Sequence, residues 1–322
     1  MAVAHGDRQG GGIGDLLLEG VDVDVVVAGA VHLREFHGRV WYLCGWLTST
    51  RRAGYGTAVS LTIGIDEVGY GPSLGPMVVA GACASGRLPL GVCIGDSKKV
   101  FSQQKGIETL EPAVLGFLRA STFADLLCKL SATMPDAPWY GAPLCLPLRA
   151  PLPELAGSWA RLVEPAEFNR ETRSRNKSDF LFDVAAGLIN RVRAAHPGRE
   201  LRFVVGKHGG RTFYLSGIQT LISPTVMVIE ETRERSAYRI PGATIEFLMD
   251  AEERHELVAL ASMIGKYVRE CAMKLFNDWW ARHHDGLRRT AGYGADGRRF
   301  FREIQPYFSK LNIAKESVLR LR

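Results

Sequence analysis

The chain has 322 residues, of which 46% are hydrophobic and 23% charged, as is usual for a soluble globular protein with one large domain or two small ones. Its formal net charge of +6 permits a polyanionic partner without requiring one. The six cysteines are scattered and form no C-x-x-C pair, which excludes zinc-finger spacing and argues against a disulfide framework.

Residues 1–58 differ in composition from the rest of the chain. The glycine-rich N-terminus lacks the apolar core of a signal peptide, and the apolar run at 21–33 is too short to span a membrane. A strand pair around His37-Gly38 is one interpretation of this region. We predict the other, an N-terminal extension without a stable fold, and we expect a cytoplasmic protein that does not bind membranes.

Regular alternation of strand and turn signals begins at Leu61. "LTIGID" (61–66) and "GPMVVAGACA" (75–84) predict two strands that are joined by a Gly/Pro turn. "LPLGVCIG" (88–95) is a third candidate strand, and Ser102 suits the N-cap of a helix that follows it. Three strands with short connections favour an antiparallel meander.

A proline-rich segment follows at 131–165. It holds seven of the fifteen prolines, which are Pro135, Pro138, Pro143, Pro147, Pro151, Pro153 and Pro165. Proline lacks a backbone donor and interrupts helices, so we predict a surface insertion or subdomain here rather than core.

The second half of the chain alternates between helical and strand patterns. Helices are predicted at 178–196, where Ser178 is the expected N-cap, at 256–283, and at 296–307; strands are predicted at 200–206, 224–231 and 243–249. We therefore predict an α/β fold over 59–312, with a mixed β-sheet of three antiparallel strands and then parallel additions, flanked by helices. A basic C-terminal tail is expected at 313–322.

Two adjacent acids, Asp66 and Glu67, come at the end of the first apolar strand, and a glycine-rich turn follows them. A solvated acidic pair at a strand end is the simplest interpretation. The apolar strand before the acids and the glycine turn after them favour a buried site instead, because glycine lets another backbone approach closely. Side chains alternate across a strand, so the two acids point in different directions unless the strand bends. One acid could then bind a metal inside the site while the other reaches it from the rim.

The stretch "GIDEVGYGPSLGPMVVAG" (64–81) resembles the opening motif of the ribonuclease HII family, the type 2 ribonucleases H. Three further segments resemble motifs of that family in the same order: "GDSKKVFS" (95–102), "MDAEERHELVALASMIGKYVRE" (249–270) and "AGYGAD" (291–296). A divergent branch that carries Lys-His-Gly-Gly-Arg fits "GKHGGR" (206–211) still better.

This resemblance implies a ribonuclease H-like fold and hydrolysis of the RNA strand of RNA/DNA hybrids, or incision at ribonucleotides in duplex DNA. It also implies a two-metal site for Mg²⁺ or Mn²⁺ made by four acids. Asp66 and Glu67 match the first two. Gly206 stands at the third position, so one ion would be held weakly unless Glu230 or Asp250 substitutes. Counting back from Ser262 places the fourth acid at Glu252, with Asp250 as the alternative ligand.

The resemblance also assigns substrate contacts. The turn corresponds to the family's Gly-Arg-Gly turn beside the 2′-hydroxyl, the group by which proteins distinguish RNA from DNA. A tyrosine of the family stacks at the RNA–DNA junction, and lysines contact phosphates. The expected substrate-binding residues are Gly69, Tyr70, Gly71, Lys98, Lys99, Lys207, Arg211 and Tyr293.

Several other polar residues have two interpretations each. His208 is either a proton shuttle or a structural loop histidine. Lys266 and Arg269 are either substrate contacts or solvated charges on the polar side of their helix. Four arginines either follow a nucleic-acid backbone or form a solvated surface: Arg288, Arg289, Arg298 and Arg299.

Three functions are compatible with this pattern. The first is a metal-dependent endoribonuclease that is impaired by the missing carboxylate at Gly206. The second is a non-catalytic protein that binds RNA/DNA hybrids on the same fold, since binding tolerates glycine there. The third is a nuclease of DNA alone, which would not require a 2′-hydroxyl in its substrate.

Overall fold

The computed structural model describes the backbone of residues 32–36 and 39–43, and residues 60–89, 93–101 and 106–321. The chain divides into two compact units, Met1–Gly54 and Tyr55–Arg322. In the first unit, β1 (His32–Phe36) and β2 (Arg39–Leu43) pair in antiparallel fashion. The remainder of the predicted N-terminal extension lies outside the described residues.

The second unit contains a seven-stranded mixed sheet with the order β5-β4-β3-β6-β9-β8-β7. Its central strands β3, β6 and β9 are parallel, and the strands on either side of them are antiparallel to their neighbours. The strands are β3 Leu61–Val68, β4 Met77–Ala84, β5 Gly157–Val163, β6 Leu201–Gly206, β7 Met227–Glu231, β8 Arg235–Ile240 and β9 Ala243–Leu248. The predicted mixed sheet flanked by helices is confirmed.

Helices cover both faces of this sheet. They are α1 Ser97–Val100, α2 Glu111–Leu118, α3 Phe123–Lys129, α4 Pro165–Thr172, α5 Lys177–Ala195, α6 Leu215–Leu221, α7 Ala251–Arg254, α8 Glu256–Ala281 and α9 Gly294–Ile304. Within the described part of the chain, no helix is long and apolar enough to cross a membrane.

The sheet separates two hydrophobic cores, and β4 shows how the sequence builds both. Val78 and Ala80 pack into the core around α8, whereas Met77 and Val79 pack into the core around α5. Successive side chains of a strand point to opposite faces, so a strand that is covered on both faces is apolar throughout. This explains the uninterrupted apolar run of β4.

Helix α8 lies directly against β3 because a glycine stands at the contact. A Cβ atom on Gly64 would lie 2.2 Å from the backbone carbon of Leu257, so any side chain would force the helix away. The predicted helix at 256–283 is present as α8 but ends two residues earlier, at Ala281, and its polar side is not solvated throughout. Arg269 has 0% of its surface exposed, and its guanidinium donates to the backbone carbonyls of Leu74, Pro76 and Ala291.

The third strand of the predicted meander was assigned to the wrong segment. Residues 88–89 and 93–95 of "LPLGVCIG" form no strand, and 90–92 lie outside the described residues. The strand that pairs with β4 is β5, from the end of the proline-rich segment. Pro89 interrupts the first candidate, whereas "GSWARLV" contains no proline and buries Trp159, Leu162 and Val163.

The proline-rich segment also contributes core side chains upstream of β5, so it is not a surface excursion throughout. Trp139 and Tyr140 are buried, and the Trp139 ring contacts that of Phe276 on α8 at 5.2 Å between centroids. Proline interrupts helices and strands but does not prevent its neighbours from being buried. A high proline content was therefore not sufficient to predict that the segment lies outside the core.

The start of α5 also differs from the sequence prediction. Helix α5 begins one residue earlier than predicted and is capped by Asn176, whose Oδ1 accepts a hydrogen bond from the Ser178 backbone N–H at 3.0 Å. The helix predicted near Ser102 falls on residues 102–105, which lie outside the described residues.

The segment that we predicted as a basic tail packs onto the domain instead. Leu319 forms a β-bridge with Leu74, and the Leu321 backbone N–H donates to Asn169 Oδ1 at 2.8 Å. Arg320 is 2% exposed. The positive charges of this segment suggested solvation, but the arginine finds backbone carbonyls as partners inside the protein.

A buried carboxyl group near this segment makes folding stability depend on pH. Burial raises the pKa of Glu164 from 4.5 to about 7, although Tyr140 Oη–H donates to its Oε1 at 2.7 Å and Arg320 is nearby. The folded state therefore keeps a proton that the unfolded state loses. We expect the free energy of unfolding to fall by about 3 kcal/mol as the pH rises from 4.5 to 7, and to level off above that.

Urea denaturation of the native chain and Glu164→Gln between pH 4.5 and 8 tests this. The variant has no titrating group at this position, so its free energy of unfolding should depend much less on pH. The variant should also be the more stable of the two proteins at pH 8. Parallel stability curves for the two proteins would show that Glu164 is not the source of the dependence.

Candidate active site

The two adjacent acids lie inside β3 rather than after it. β3 continues to Val68, whereas its parallel neighbour β6 stops at Gly206. The last paired residues of the two strands are Ile65 and Val205. It is therefore the end of the neighbouring strand that leaves space beside Asp66 and Glu67, and a sequence pattern within β3 cannot show this.

Both carboxylates reach the position of Gly206. A Cβ atom on Gly206 would lie 2.8 Å from Asp66 Oδ1 and 3.8 Å from Glu67 Oε2. Asp66 is buried at 8% exposure and Glu67 is half-buried. Although successive strand residues point to opposite faces, these two side chains converge at the end of β6.

A cavity of about 640 Å³ opens at this point and gathers most of the residues that the sequence predicts for the site. The predicted residues that line it are Asp66, Glu67, Gly69, Tyr70, Gly71, Lys207, Asp250, Glu252 and Tyr293. They come from β3, the loop after it, the end of β6, α7 and the residue before α9. Segments that are far apart in the sequence therefore form one cavity.

The acids near α7 line the same cavity as Asp66. Glu252 is half-buried in α7, and Asp250 is exposed at the N-cap of α7 in a left-handed conformation, with φ of 50°. Glu230, which we considered as a substitute for the missing carboxylate, does not line the cavity. It lies on β7 and forms an ion pair with Arg235, so that hypothesis is wrong.

The donor atoms of this cavity fit a divalent cation only in part. Among the described residues, no group of three or more His, Cys, Asp or Glu side chains is arranged to hold a metal ion. Asp66 and Glu67 converge as a pair of hard oxygen ligands. Mg²⁺ is commonly bound by one or two carboxylates together with water and substrate phosphates, and this pair fits that mode.

The loop after β3, residues 69–76, contributes Gly69, Tyr70 and Gly71 to the lining of the cavity. Gly69 has φ of 82°, and a Cβ atom there would lie 2.5 Å from Arg269 Nε, so glycine is required. Arg269 Nε donates to Pro76 O and its Nη2 donates to Leu74 O, both at 3.2 Å. The interpretation of Arg269 as a solvated charge is wrong, because this guanidinium holds the loop from inside.

The same arginine positions the predicted stacking residue. The Tyr293 ring lies 5.2 Å from the Arg269 guanidinium carbon, and 44% of Tyr293 is exposed. Backbone N–H groups of Ser73 and Leu74 donate to Gly292 O at 3.0 and 3.3 Å. These contacts place the tyrosine beside the loop with much of its ring open to a ligand.

Three cavity residues with polar or aromatic side chains were not assigned to the site by the sequence: Ser97, Phe101 and Ser262. The Oγ atoms of Ser97 and Ser262 are 2.9 Å apart, so the "DSKK" and "AS" motifs meet at a buried hydrogen bond. Both serines belong to motifs that the sequence singled out, and this was the signal that could have identified them.

Lys266 is part of the cavity wall rather than a solvated surface charge. Its side chain is 13% exposed, and its Nζ donates to Glu270 Oε1 at 2.7 Å and lies 4.1 Å from the centroid of the Phe101 ring. An ammonium group in a carboxylate-lined cavity is a natural partner for a phosphate, and nothing in the helical periodicity of α8 indicated it.

The other predicted basic residues are distributed around the cavity. Lys207 Nζ donates to Thr232 O at 2.7 Å, and burial lowers the pKa of this lysine. Lys99 is exposed, does not line the cavity and pairs with Glu253 at 2.6 Å, which raises the pKa of Lys99. The side chain of Lys98 lies outside what the structure describes.

Arg211 lines a second cavity, of about 520 Å³, which shares Tyr70 and Gly209 with the first. Its guanidinium pairs with Asp179 at 2.6 Å. His208 is 2% exposed among aromatic rings, and burial lowers its pKa to about 3. A histidine that stays neutral and buried is structural, so the proton-shuttle interpretation is wrong.

Three of the four arginines around Tyr293 are engaged with local acids. Arg288 and Arg299 pair with Asp296, and Arg289 pairs with Asp278. Contact of this group with a nucleic-acid backbone stays a prediction.

Comparison with known proteins supports the resemblance over part of the chain. The family model described as Ribonuclease HII matches residues 63–125, which include the opening motif and the "DSKK" segment. A ribonuclease HII of Chlamydia caviae is 46% identical over 52 residues. That match covers 16% of this chain and 24% of the relative, so the chain spans about a quarter of the curated relative that it matches.

Several solved structures are similar at low sequence identity. The ribonuclease HII in a PCNA complex from Archaeoglobus fulgidus is 18% identical with a TM-score of 0.43, over 81% of this chain and 94% of that one. Ribonuclease H2 of Pyrococcus horikoshii is 17% identical with a TM-score of 0.42, over 81% and 92%. Bst-RNase HIII in complex with Mn²⁺ is 17% identical with a TM-score of 0.44, over 87% and 75%. At these identities, the activity has to be inferred from the residues of the site.

Proposed function

We propose that this chain is a metal-dependent endoribonuclease that hydrolyses the RNA strand of RNA/DNA hybrids or incises duplex DNA at embedded ribonucleotides. The observation that carries this proposal is the convergence of the Asp66 and Glu67 carboxylates at the end of β6, in a cavity that the glycine loop also lines. The match of residues 63–125 to the ribonuclease HII family supports it.

The acids are the groups that would hold a divalent cation, Mg²⁺ or Mn²⁺. Asp66 and Glu67 are the expected ligands, and Glu252 or Asp250 is the further acid on the cavity wall. When bound, such a cation supplies an activated water and neutralises charge on the leaving oxygen. With glycine at position 206, we expect a second ion to be held weakly and the rate to be reduced.

The remaining residues bind and orient the substrate. The backbone of Gly69-Tyr70-Gly71 faces the cavity and is the expected contact of the ribose 2′-hydroxyl, which only RNA carries. The exposed ring of Tyr293 offers a stacking surface for a base or sugar. Lys266 and Lys207 place positive charge in the cavity wall, where they would contact phosphates.

A non-catalytic protein that binds RNA/DNA hybrids is the second candidate. Gly206 favours it, together with the finding that no three-acid metal cluster occurs among the residues that the structure describes. Binding needs the glycine loop, the lysines and Tyr293, but it does not need the third carboxylate.

Cleavage of matched duplexes separates these candidates. We expect the native chain to cut a DNA duplex with one ribonucleotide and an RNA/DNA hybrid in Mg²⁺ or Mn²⁺, to leave the all-DNA duplex intact, and to lose activity in EDTA. Equal cutting of the all-DNA duplex would indicate a DNA nuclease. Binding of the hybrid without cutting in either metal would favour the non-catalytic candidate.

A further inference from the structure

The C-terminal segment crosses the loop that forms the substrate wall of the cavity. The Arg320 backbone N–H donates to Ser73 O at 2.8 Å, and Leu319 and Leu74 form an antiparallel β-bridge. The segment is itself fixed, because Asn169 Nδ2 donates to Leu319 O at 2.8 Å. The last residues of the chain therefore add a short strand-like contact to the middle of the 69–76 loop.

The side chain of Arg320 connects the two ends of the same loop. Its Nη1 donates to Gly69 O at 2.5 Å, and its Nη2 donates to Gly75 O at 2.7 Å. Both glycines have positive φ, 82° and 78°, a conformation in which the direction of the carbonyl is not set by ordinary backbone preferences. One planar guanidinium fixes both carbonyls at once, which a point charge such as lysine cannot do.

This arginine is an unusual residue for simple packing. It is 2% exposed, it lies 4.9 Å from the centroid of the Phe168 ring, and its Nε has no hydrogen-bond partner among the described residues. An apolar residue of similar size often serves stability as well as a buried charge does. The guanidinium is therefore best explained by its hydrogen bonds to the carbonyls of Gly69 and Gly75. Gly69 itself belongs to the backbone segment that is expected to contact the ribose.

We propose that Arg320 is a positioning residue for ribose recognition, which rests on the proposed function. It acts through Gly69 and Gly75 and holds the Gly69-Tyr70-Gly71 backbone in the conformation that contacts the 2′-hydroxyl. Arg269 holds Leu74 and Pro76 from α8, so the loop is fixed from two sides. Backbone groups can distinguish ribose from deoxyribose only if they are held in position before the substrate binds. In a mobile loop these groups would not be placed to hydrogen-bond the 2′-hydroxyl.

Steady-state cleavage of the ribonucleotide-containing duplex by Arg320→Met, Arg320→Lys and the native chain tests this role. We expect Arg320→Met to lower kcat by about 10- to 100-fold and to change KM by less than about threefold, with Arg320→Lys in between. Arg239→Met, at an exposed position on β8, is the matched control and should retain native kcat. A merely structural role would lower the melting temperature and leave kcat per folded molecule unchanged, which would overturn the proposal.

Hydrogen–deuterium exchange tests the loop independently of activity. In Arg320→Met, amide exchange over residues 69–76 should rise by about tenfold or more, while exchange in α5 stays native. Unchanged exchange in the loop would overturn the proposal.

If the native chain does not cut, the proposed catalysis is refuted, but the role of Arg320 is not. A binding assay then tests that role. The ratio of affinities for ribonucleotide-containing and all-DNA duplexes, measured in EDTA, then replaces kcat. We expect Arg320→Met to lower this ratio toward one, and an unchanged ratio would overturn the role of Arg320 in ribose recognition.

Discussion

Asp66→Asn is expected to lower kcat on a ribonucleotide-containing duplex by about 1,000-fold or more, equivalent to about 4 kcal/mol of transition-state stabilisation. Asp66 is buried in β3, and its Oδ1 is one of the two carboxylate oxygens that reach the end of β6. Asparagine keeps the shape of the side chain but removes the negative charge that a divalent cation requires. Cleavage rates in saturating Mg²⁺ and Mn²⁺ measure the effect.

Two controls accompany Asp66→Asn. Asp285→Asn makes the same chemical change at an exposed position and should leave the rate unaffected. The melting temperature of Asp66→Asn should not fall, because an amide is less costly to bury than a carboxylate. If Asp66→Asn cuts within tenfold of the native rate, the proposed active site is wrong.

Gly206→Asp is expected to raise kcat by about tenfold or more and to lower the Mg²⁺ concentration that gives half-maximal activity. The new Cβ would lie 2.8 Å from Asp66 Oδ1, so the added carboxylate joins the pair already present after a small rotation of the Asp66 side chain. Gly206 does not have positive φ, so an aspartate does not strain the backbone. Magnesium titrations of the cleavage rate provide the measurement.

Gly206→Ala is the matched control, since it adds the same Cβ atom without the carboxylate. We expect it to keep or slightly lower the native rate. If Gly206→Asp performs no better than Gly206→Ala, a missing third carboxylate is not what limits the chain. If only Gly206→Asp cuts, the native chain has a catalytic scaffold without efficient catalysis, and its function is binding.

Much of the candidate site could be predicted from the sequence because its parts are short contiguous motifs. The Asp66-Glu67 pair, the Gly69-Tyr70-Gly71 turn and the segment around Glu252 each stand within a few residues of a strand or helix boundary. Their order along the chain was sufficient to bring them into one hypothesis. Lys99 and Arg211 were assigned by the same reasoning, but the cavity does not include them, because a motif does not specify side-chain direction.

The elements whose signals are local could be predicted from the amino-acid sequence alone. Strands β3, β4, β6 and β9 appear in the sequence as apolar runs, and α8 appears as apolar residues at helical spacing. These patterns involve only neighbouring residues, so the elements could be predicted without knowledge of what they contact. The acidic pair and the absence of a carboxylate at Gly206 are likewise properties of single positions.

The contacts between distant segments became known only from the folded protein. The partner of β4 comes from residues 157–163, and strand pairing over such a separation has no local signal. Arg269 was interpreted as either a substrate contact or a solvated charge, and Arg320 was assigned to a basic tail, yet both are buried against carbonyls of the 69–76 loop. A charged side chain can be buried only where other segments supply partners, and those partners exist only once the chain has folded.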